Sequence, residues 1–189
     1  MGLGINRTWL EQRLGGNVMK TQIVRALDKL YLFCIVISAI ALLIMTLVIP
    51  YGVFTRYVLN SASAWPEPLS VLMMIVFSFF GGAACYRANA HISVLLLSDA
   101  LPARWRPKLA LLAEFAMAVL AGFMLIWGWG LATVLWHQVV AEFPFLSVGI
   151  TYMPIPIGGL ITLIFIAERV IIGPPPPDSI VYREPASTN

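Results

Sequence analysis

Glu114 has the strongest claim to chemistry in this chain, because it is the one carboxylate set well inside a long apolar run, about a turn and a half from the run's inner end. An ionisable group at such depth in a membrane is a candidate for ion or proton handling by default. The simpler reading is an inter-helix pair near the membrane interface, with Arg87 or Lys108 as partner, since a charge is cheaper to keep there than at the midplane. His91 and His137 are the two histidines and invite a haem or metal reading. They flank the same apolar run, which holds them roughly 30 Å apart on opposite membrane faces, so they cannot share one iron. Cys34 and Cys85 have no His or second Cys nearby in sequence, and they read as small apolar packing residues rather than a disulfide or a metal site. The sequence contains no Gly-rich phosphate loop, nucleophile elbow or paired carboxylate, and Asp99, Glu142, Asp178 and Glu184 are scattered through loops and tail. These residue types point to no cofactor and no enzymatic reaction.

The elements that must hold these residues are set by hydropathy. The chain has 189 residues, 60% hydrophobic and 11% charged, against roughly 25% charged in an average soluble domain. Its apolar runs are Leu30 to Ile49, Leu69 to Tyr86, Leu109 to Trp136 and Val148 to Ala167. Each meets the roughly 18 to 20 residues that a helix needs to cross a bilayer core while bonding its own backbone. The expected fold class is therefore an all-α integral membrane protein of four transmembrane helices. Eleven of the twelve Lys and Arg residues lie before the first run, between the second and third, or after the fourth, leaving Arg56 alone in the two other loops. By the positive-inside rule both termini are cytoplasmic. The net charge of +3 is thus a topology signal that brings weak attraction to anionic lipid, and no basic face of the kind that binds nucleic acid is visible. The first run is too long for a signal-peptide core, and Pro50, Tyr51 and Gly52 do not make a small-residue cleavage site, so it reads as an uncleaved anchor.

Three regions follow. Residues 1–29 form a cytoplasmic N-terminal segment: the first 18 residues show weak periodicity and are expected to be dispensable or disordered, while Met19, Ile23, Leu27 and Leu30 share one face of an interfacial amphipathic helix before the first span. Residues 30–172 form the membrane domain, and 173–189 a Pro-rich tail expected to be disordered and cytoplasmic. Within the domain, Pro50 to Pro68 is expected as a short structured outer corner with Trp65 at headgroup level and Pro66 and Pro68 delaying the next helix. Ile92, Leu95, Leu96 and Leu101 suggest a short interfacial helix in the inner loop. Trp127, Trp129 and Trp136 fit an outer aromatic belt, and Pro154, Pro156 and Gly158-Gly159 predict an irregular start to the fourth span. Ser78 and Gly82, Ala118 and Gly122, and Gly128 and Ala132 are each spaced by four, and with the Gly81 to Ala84 patch they allow close helix packing inside the chain or against a partner.

Arg56-Tyr57, then Trp65 with Glu67, then Gly81-Gly82-Ala83-Ala84, Arg87, His91-Ile92 and Leu101-Pro102 occur in an order that resembles the small membrane subunit of TRAP transporters, the tripartite ATP-independent periplasmic (DctQ-type) family. Gly128-Trp129, Gln138 and Pro156-Ile157-Gly158 are similar in kind and placement, so the resemblance runs from about Leu30 to Ile172. Pro68 and Leu95 stand where that family often carries acidic residues. The resemblance implies a bacterial inner-membrane subunit of a sodium-driven importer of organic acids. Its implied partners are a large membrane subunit, which carries the substrate and sodium sites, and a periplasmic substrate-binding protein, with the lipid bilayer as solvent. On this reading Arg56, Tyr57, Trp65 and Glu67 shape the periplasmic corner, Arg87 and His91 fix the cytoplasmic loop, and Gly81, Gly82, Pro156 and Gly158 pack helices. Glu114 joins them as a structural or partner-contact candidate, and none of these residues is implied to touch substrate. The rival readings are the small subunit of a tripartite tricarboxylate-type importer and a membrane-embedded redox subunit.

Overall fold

The computed structural model describes residues 7–61, 63–88, 106–171 and 173, with side chains from 21 onward and, after the inner loop, from 108. His91, the short helix expected around Ile92 to Leu101, and the Pro-rich tail lie outside the described residues. The elements are α1 (Arg7–Tyr57), α2 (Pro66–Arg87), α3 (Arg106–Val134), β1 (Val139–Val140), β2 (Phe143–Ser147), α4 (Val148–Tyr152) and α5 (Pro154–Ile171). Among the described residues four helical segments are long and apolar enough to cross a membrane: Thr21–Tyr57, Pro66–Arg87, Lys108–Val134 and Val148–Ile171. The protein is a multi-pass, all-α membrane protein.

α1 departs from expectation at both ends. It is one helix of 51 residues, about 75 Å long at the usual rise, and it starts at Arg7 where disorder was expected. The segment expected as a separate interfacial helix is its continuation. Leu27 and Tyr31 are buried with Cys34, Ser38 and Ala41, a stripe at spacings of three and four that turns one side of α1 toward the bundle. The last turns before the first apolar run are therefore packed against other helices. At the other end α1 runs through Pro50 to Tyr57, so the corner is shorter than the sequence suggested. Pro50 forfeits one backbone hydrogen bond, whereas ending the helix there would expose several backbone groups at membrane depth. The helix ends at Tyr57, and three residues on the chain turns away at Asn60, whose φ of 50° is left-handed, a conformation asparagine tolerates.

α2 begins at Pro66 itself, with no delay. Proline suits the first helical position, and Glu67 in the first turn and Arg87 in the last both complement the helix dipole. The principal packing runs in a row, α1 on α2, α2 on α5 and α5 on α3. α5 hides the largest share of its residues and α3 the smallest. The hydrophobic core lies between the inner pair and their neighbours, with Phe80, Ala83 and Ala84 of α2, Ile161 and Phe165 of α5, Cys34 of α1 and Ala121 of α3.

Between α3 and α4 the chain forms a small antiparallel hairpin in which Val140 faces Phe143 and Val139 faces Ser147, an element the hydropathy pattern did not suggest. Ser147 closes it: its hydroxyl donates to the Trp136 carbonyl at 2.5 Å and accepts from the Gly149 N–H at 3.1 Å, capping α4. The fourth span starts irregularly, as its prolines predict, with α4 broken from α5 at Met153. Glycines then let α5 sit close to both neighbours. A Cβ at Gly158 would lie 2.9 Å from the Phe79 Cβ of α2, and one at Gly159 would lie 2.8 Å from the Ala121 carbonyl oxygen of α3.

Gly82 differs, because a Cβ there would meet nothing within 4 Å. Gly158→Ala is expected to cost about 1–3 kcal/mol by overpacking, while Gly82→Ala gains up to about 1 kcal/mol from helix propensity. Thermal melting of the full chain in mild detergent checks this; a Gly158→Ala chain as stable as the parent would contradict the close approach.

Candidate functional site

Charged residues that flank the apolar runs in sequence converge at one end of the row of helices. Arg87, in the last turn of α2, places Nε and one terminal nitrogen on the two carboxylate oxygens of Glu168 in α5, each at 2.8 Å. Its other terminal nitrogen lies 2.8 Å from Oδ1 of Asp28 in α1. Side-chain exposures of 2% for Arg87, 3% for Glu168 and 12% for Asp28 show that water scarcely reaches the group. The rings of Tyr31 and Phe165 cover the guanidinium, with centroids 5.6 and 5.4 Å away. The Glu168 contact is the planar, two-pronged geometry that arginine makes and lysine cannot. The Asp28 contact is an ion pair by distance only, since neither Asp28 Oδ1 nor the facing Arg87 nitrogen completes a well-angled hydrogen bond.

A second set sits beside the first because α2 and α5 each offer adjacent residues that point in different directions. Tyr86 donates its hydroxyl to Glu114 of α3, and Arg169 of α5 places Nε 2.8 Å from the other Glu114 oxygen. Arg169 also lies over the Tyr86 ring, 6.0 Å from its centroid. The sequence offered Arg87 or Lys108 as the inter-helix partner of Glu114, and the structure sets Arg169 of α5 against it. Arg87 is taken by Glu168 and Asp28 because it emerges from α2 on the side facing α1 and α5, whereas Tyr86 faces α3. Together the two sets tie all four spanning helices.

At the opposite end the residues of the expected corner surround a cleft of about 690 Å³ between α1 and α2, with Arg56, Tyr57 and Glu67 in its lining. Trp65 packs on Tyr51, ring centroids 5.5 Å apart. Of the helix-packing candidates, Pro156 is fully buried and Gly158 meets α2. Gly81 faces Ser38 of α1, where a Cβ would find the hydroxyl at 3.4 Å. Gly82 is exposed, so only part of its patch packs within the chain. Cys34 is buried and Cys85 exposed, and among the described residues no three His, Cys, Asp or Glu side chains gather as a metal site would require. His137 lies in the turn after α3.

Asp28 and Glu168 were missed as functional residues. Each lies just outside an apolar run, where charge ordinarily means solvation, but a signal existed: every span carries an ionisable residue close to the same end.

The sequence family described as Tripartite ATP-independent periplasmic transporters, DctQ component, matches residues 45–172, well over half of the chain. The chain belongs to this DctQ family. The small permease protein SiaQ of a sialic acid TRAP transporter from Vibrio cholerae serotype O1 is 28% identical over 127 residues, 65% of this chain and 70% of that protein. A putative TRAP transporter small permease protein of Haemophilus influenzae is 26% identical over 142 residues, 75% of this chain and 85% of that protein. DctQ proteins are transporter membrane subunits, which are not an enzyme class. The matched region of this DctQ chain includes Arg87, Glu114, Glu168 and Arg169 and leaves out Asp28.

Arg87→Leu in this DctQ chain would strand two carboxylates in a nearly dry site, an expected loss of about 3–5 kcal/mol. Glu114→Gln should cost about 1 kcal/mol or less, because the side chains of Glu114 and Arg169 keep exposures of 22% and 35%. Adding Asp28→Asn and Glu168→Gln to Arg87→Leu should recover much of the loss. Melting temperatures of the four detergent-solubilised chains test the order, which fails if Glu114→Gln proves the more damaging single change.

Proposed function

We propose that this DctQ chain is the non-catalytic small membrane subunit of a sodium-driven importer of organic acids in the bacterial inner membrane. In this role it holds a large permease subunit at a fixed depth and does not itself bind substrate. The observation that carries the reading is the state of Arg87. A carrier of anionic solutes needs cations or donors free to meet the solute within the membrane. Here the buried guanidinium is already held by two carboxylates of its own chain, which makes it a fastener between helices.

The outer faces support the same role. Among the described residues α1 and α3 leave large apolar side chains such as Phe33, Leu43, Phe115 and Trp127 more than half exposed. In lipid such surface can stay in the bilayer or pack a second membrane protein through small residues, and Gly82 on α2 and Gly130 on α3 leave room for a close neighbour. A large membrane subunit is the partner that fits. The cation distribution supports an orientation with both termini and the Arg87 end in the cytoplasm, which would turn the Arg56 corner toward the periplasm and an arriving substrate-binding protein. Sialic acid, named for the Vibrio relative, is an organic acid, which supports that class of cargo.

Two measurements test the proposal. A tagged full chain purified from its native membrane in gentle detergent is expected to bring a large multi-span membrane protein in equal amount. Expressed alone in a host without such transporters, the chain is expected to give no organic-acid uptake, and sodium-dependent uptake by the chain alone would overturn the accessory role.

A further inference from the structure

The cleft at the Arg56 end is an unfilled space at membrane depth, and its chemistry changes along its length. Met45, Ile49 and Val53 of α1 and Val71 and Met74 of α2 make apolar walls. From Arg56 the α1 wall descends about 16 Å to Met45, and from Glu67 the α2 wall descends about 10 Å to Met74. Arg56, Glu67 and Ser63, with Tyr57 and Ser70, contribute the polar part of the lining. The Tyr51 and Trp65 rings, in contact at 5.5 Å, mark this level as the interface where aromatic residues collect. Gly52 and Pro66 hold the two helices together at this level, where a Cβ on Gly52 would lie 3.0 Å from the Pro66 Cβ.

The charges in the lining are opposite and uncommitted. Among the described residues the side chains of Arg56 and Glu67 enter no ion pair and no hydrogen bond, although they line the same cleft. Ser70, below them, is spent on the Pro66 carbonyl at 2.7 Å. A ligand that fills the whole cleft must be apolar at one end and carry both an anion and a cation at the other.

We propose that this cleft binds a zwitterionic aminophospholipid. One acyl chain lies between Val53 and Val71 toward Met45 and Met74, the phosphate meets the Arg56 guanidinium, and the headgroup ammonium meets the Glu67 carboxylate. A phosphate on arginine gains a charge-assisted, two-pronged contact. The ammonium distinguishes this lipid from an anionic glycerol phospholipid, which would leave Glu67 without a cation. The inference requires only that the chain spans a bilayer, so it stands or falls separately from the accessory-subunit reading.

The test is lipid retention by the full chain, purified in mild detergent from membranes containing both phosphatidylethanolamine and phosphatidylglycerol and read by native mass spectrometry. About one phosphatidylethanolamine per chain is expected to remain, enriched over its share of the membrane. Arg56→Gln should lower retention of both lipids about tenfold, and Glu67→Gln should abolish the preference for ethanolamine, each removing one charged contact. Val71→Trp should fill the apolar part and expel the lipid while both charges stay. Glu142→Gln, on the exposed hairpin turn, should change nothing, and monodisperse elution of every variant confirms that each is folded. Retention in the bulk membrane ratio, or an ethanolamine preference that survives Glu67→Gln, overturns the proposal. So does a photocrosslinker at Val53 that captures a protein segment in the native membrane in place of lipid.

Discussion

A guanidinium that water scarcely reaches holds the row of spanning helices together at one end. Between helices in a bilayer, burying apolar surface brings little advantage, because lipid tails are as apolar as leucine. Association must come from close packing and from polar groups with nowhere else to go. Arg87 supplies the second: leaving it unpaired at that depth is costly, and the carboxylates of Glu168 and Asp28 relieve the cost only when α5 and α1 stand against α2 in one register. The aromatic covers from Tyr31 and Phe165 then exclude water, which strengthens the attraction and raises the penalty for any other arrangement.

Close packing takes over where charge is absent. Toward the other end of α5 the helix carries Gly158 and Gly159, which bring it against Phe79 on one side and Ala121 on the other. α5 is thus fixed by ions at its end and by missing side chains nearer its start. α3 has less to hold it, with Glu114 joined to Arg169 and Tyr86 and its contact with Gly159. The outcome is a row of helices with broad apolar outer faces, a form suited to lying along another membrane protein. Its buried charges are turned inward on one another.

Much of this was legible in the residues before any fold was known. The four spans, the irregular entry to the last one, and the inter-helix pairing of Glu114 follow from hydropathy, proline and the cost of a charge in lipid. The order from Arg56-Tyr57 to Pro156-Ile157-Gly158 carried the family. The less legible parts share one cause. Asp28 and Glu168 looked solvated because hydropathy scores a residue by its neighbours along the chain, while their burial comes from neighbours on other helices. Pro50 looked like a boundary because the rule that proline ends helices was learned where water can satisfy the loose backbone groups. The hairpin over Val139 to Ser147 is too short for any periodicity to declare itself.

Sequence alone determined that this chain lives in a membrane, how many times it crosses, and to which family of transporter subunits it belongs, since all three are written in runs of residue types and their order. Tertiary structure decided which residues meet. Helices apolar on nearly every side carry little record of their rotation about their own axes, so nothing along the chain said that Arg87 would face α5 and α1 while Tyr86 beside it faced α3. That angular choice separates the two charged sets, places Glu114 with Arg169, and makes the charges at the ends of the spans a fastening rather than a solvated fringe.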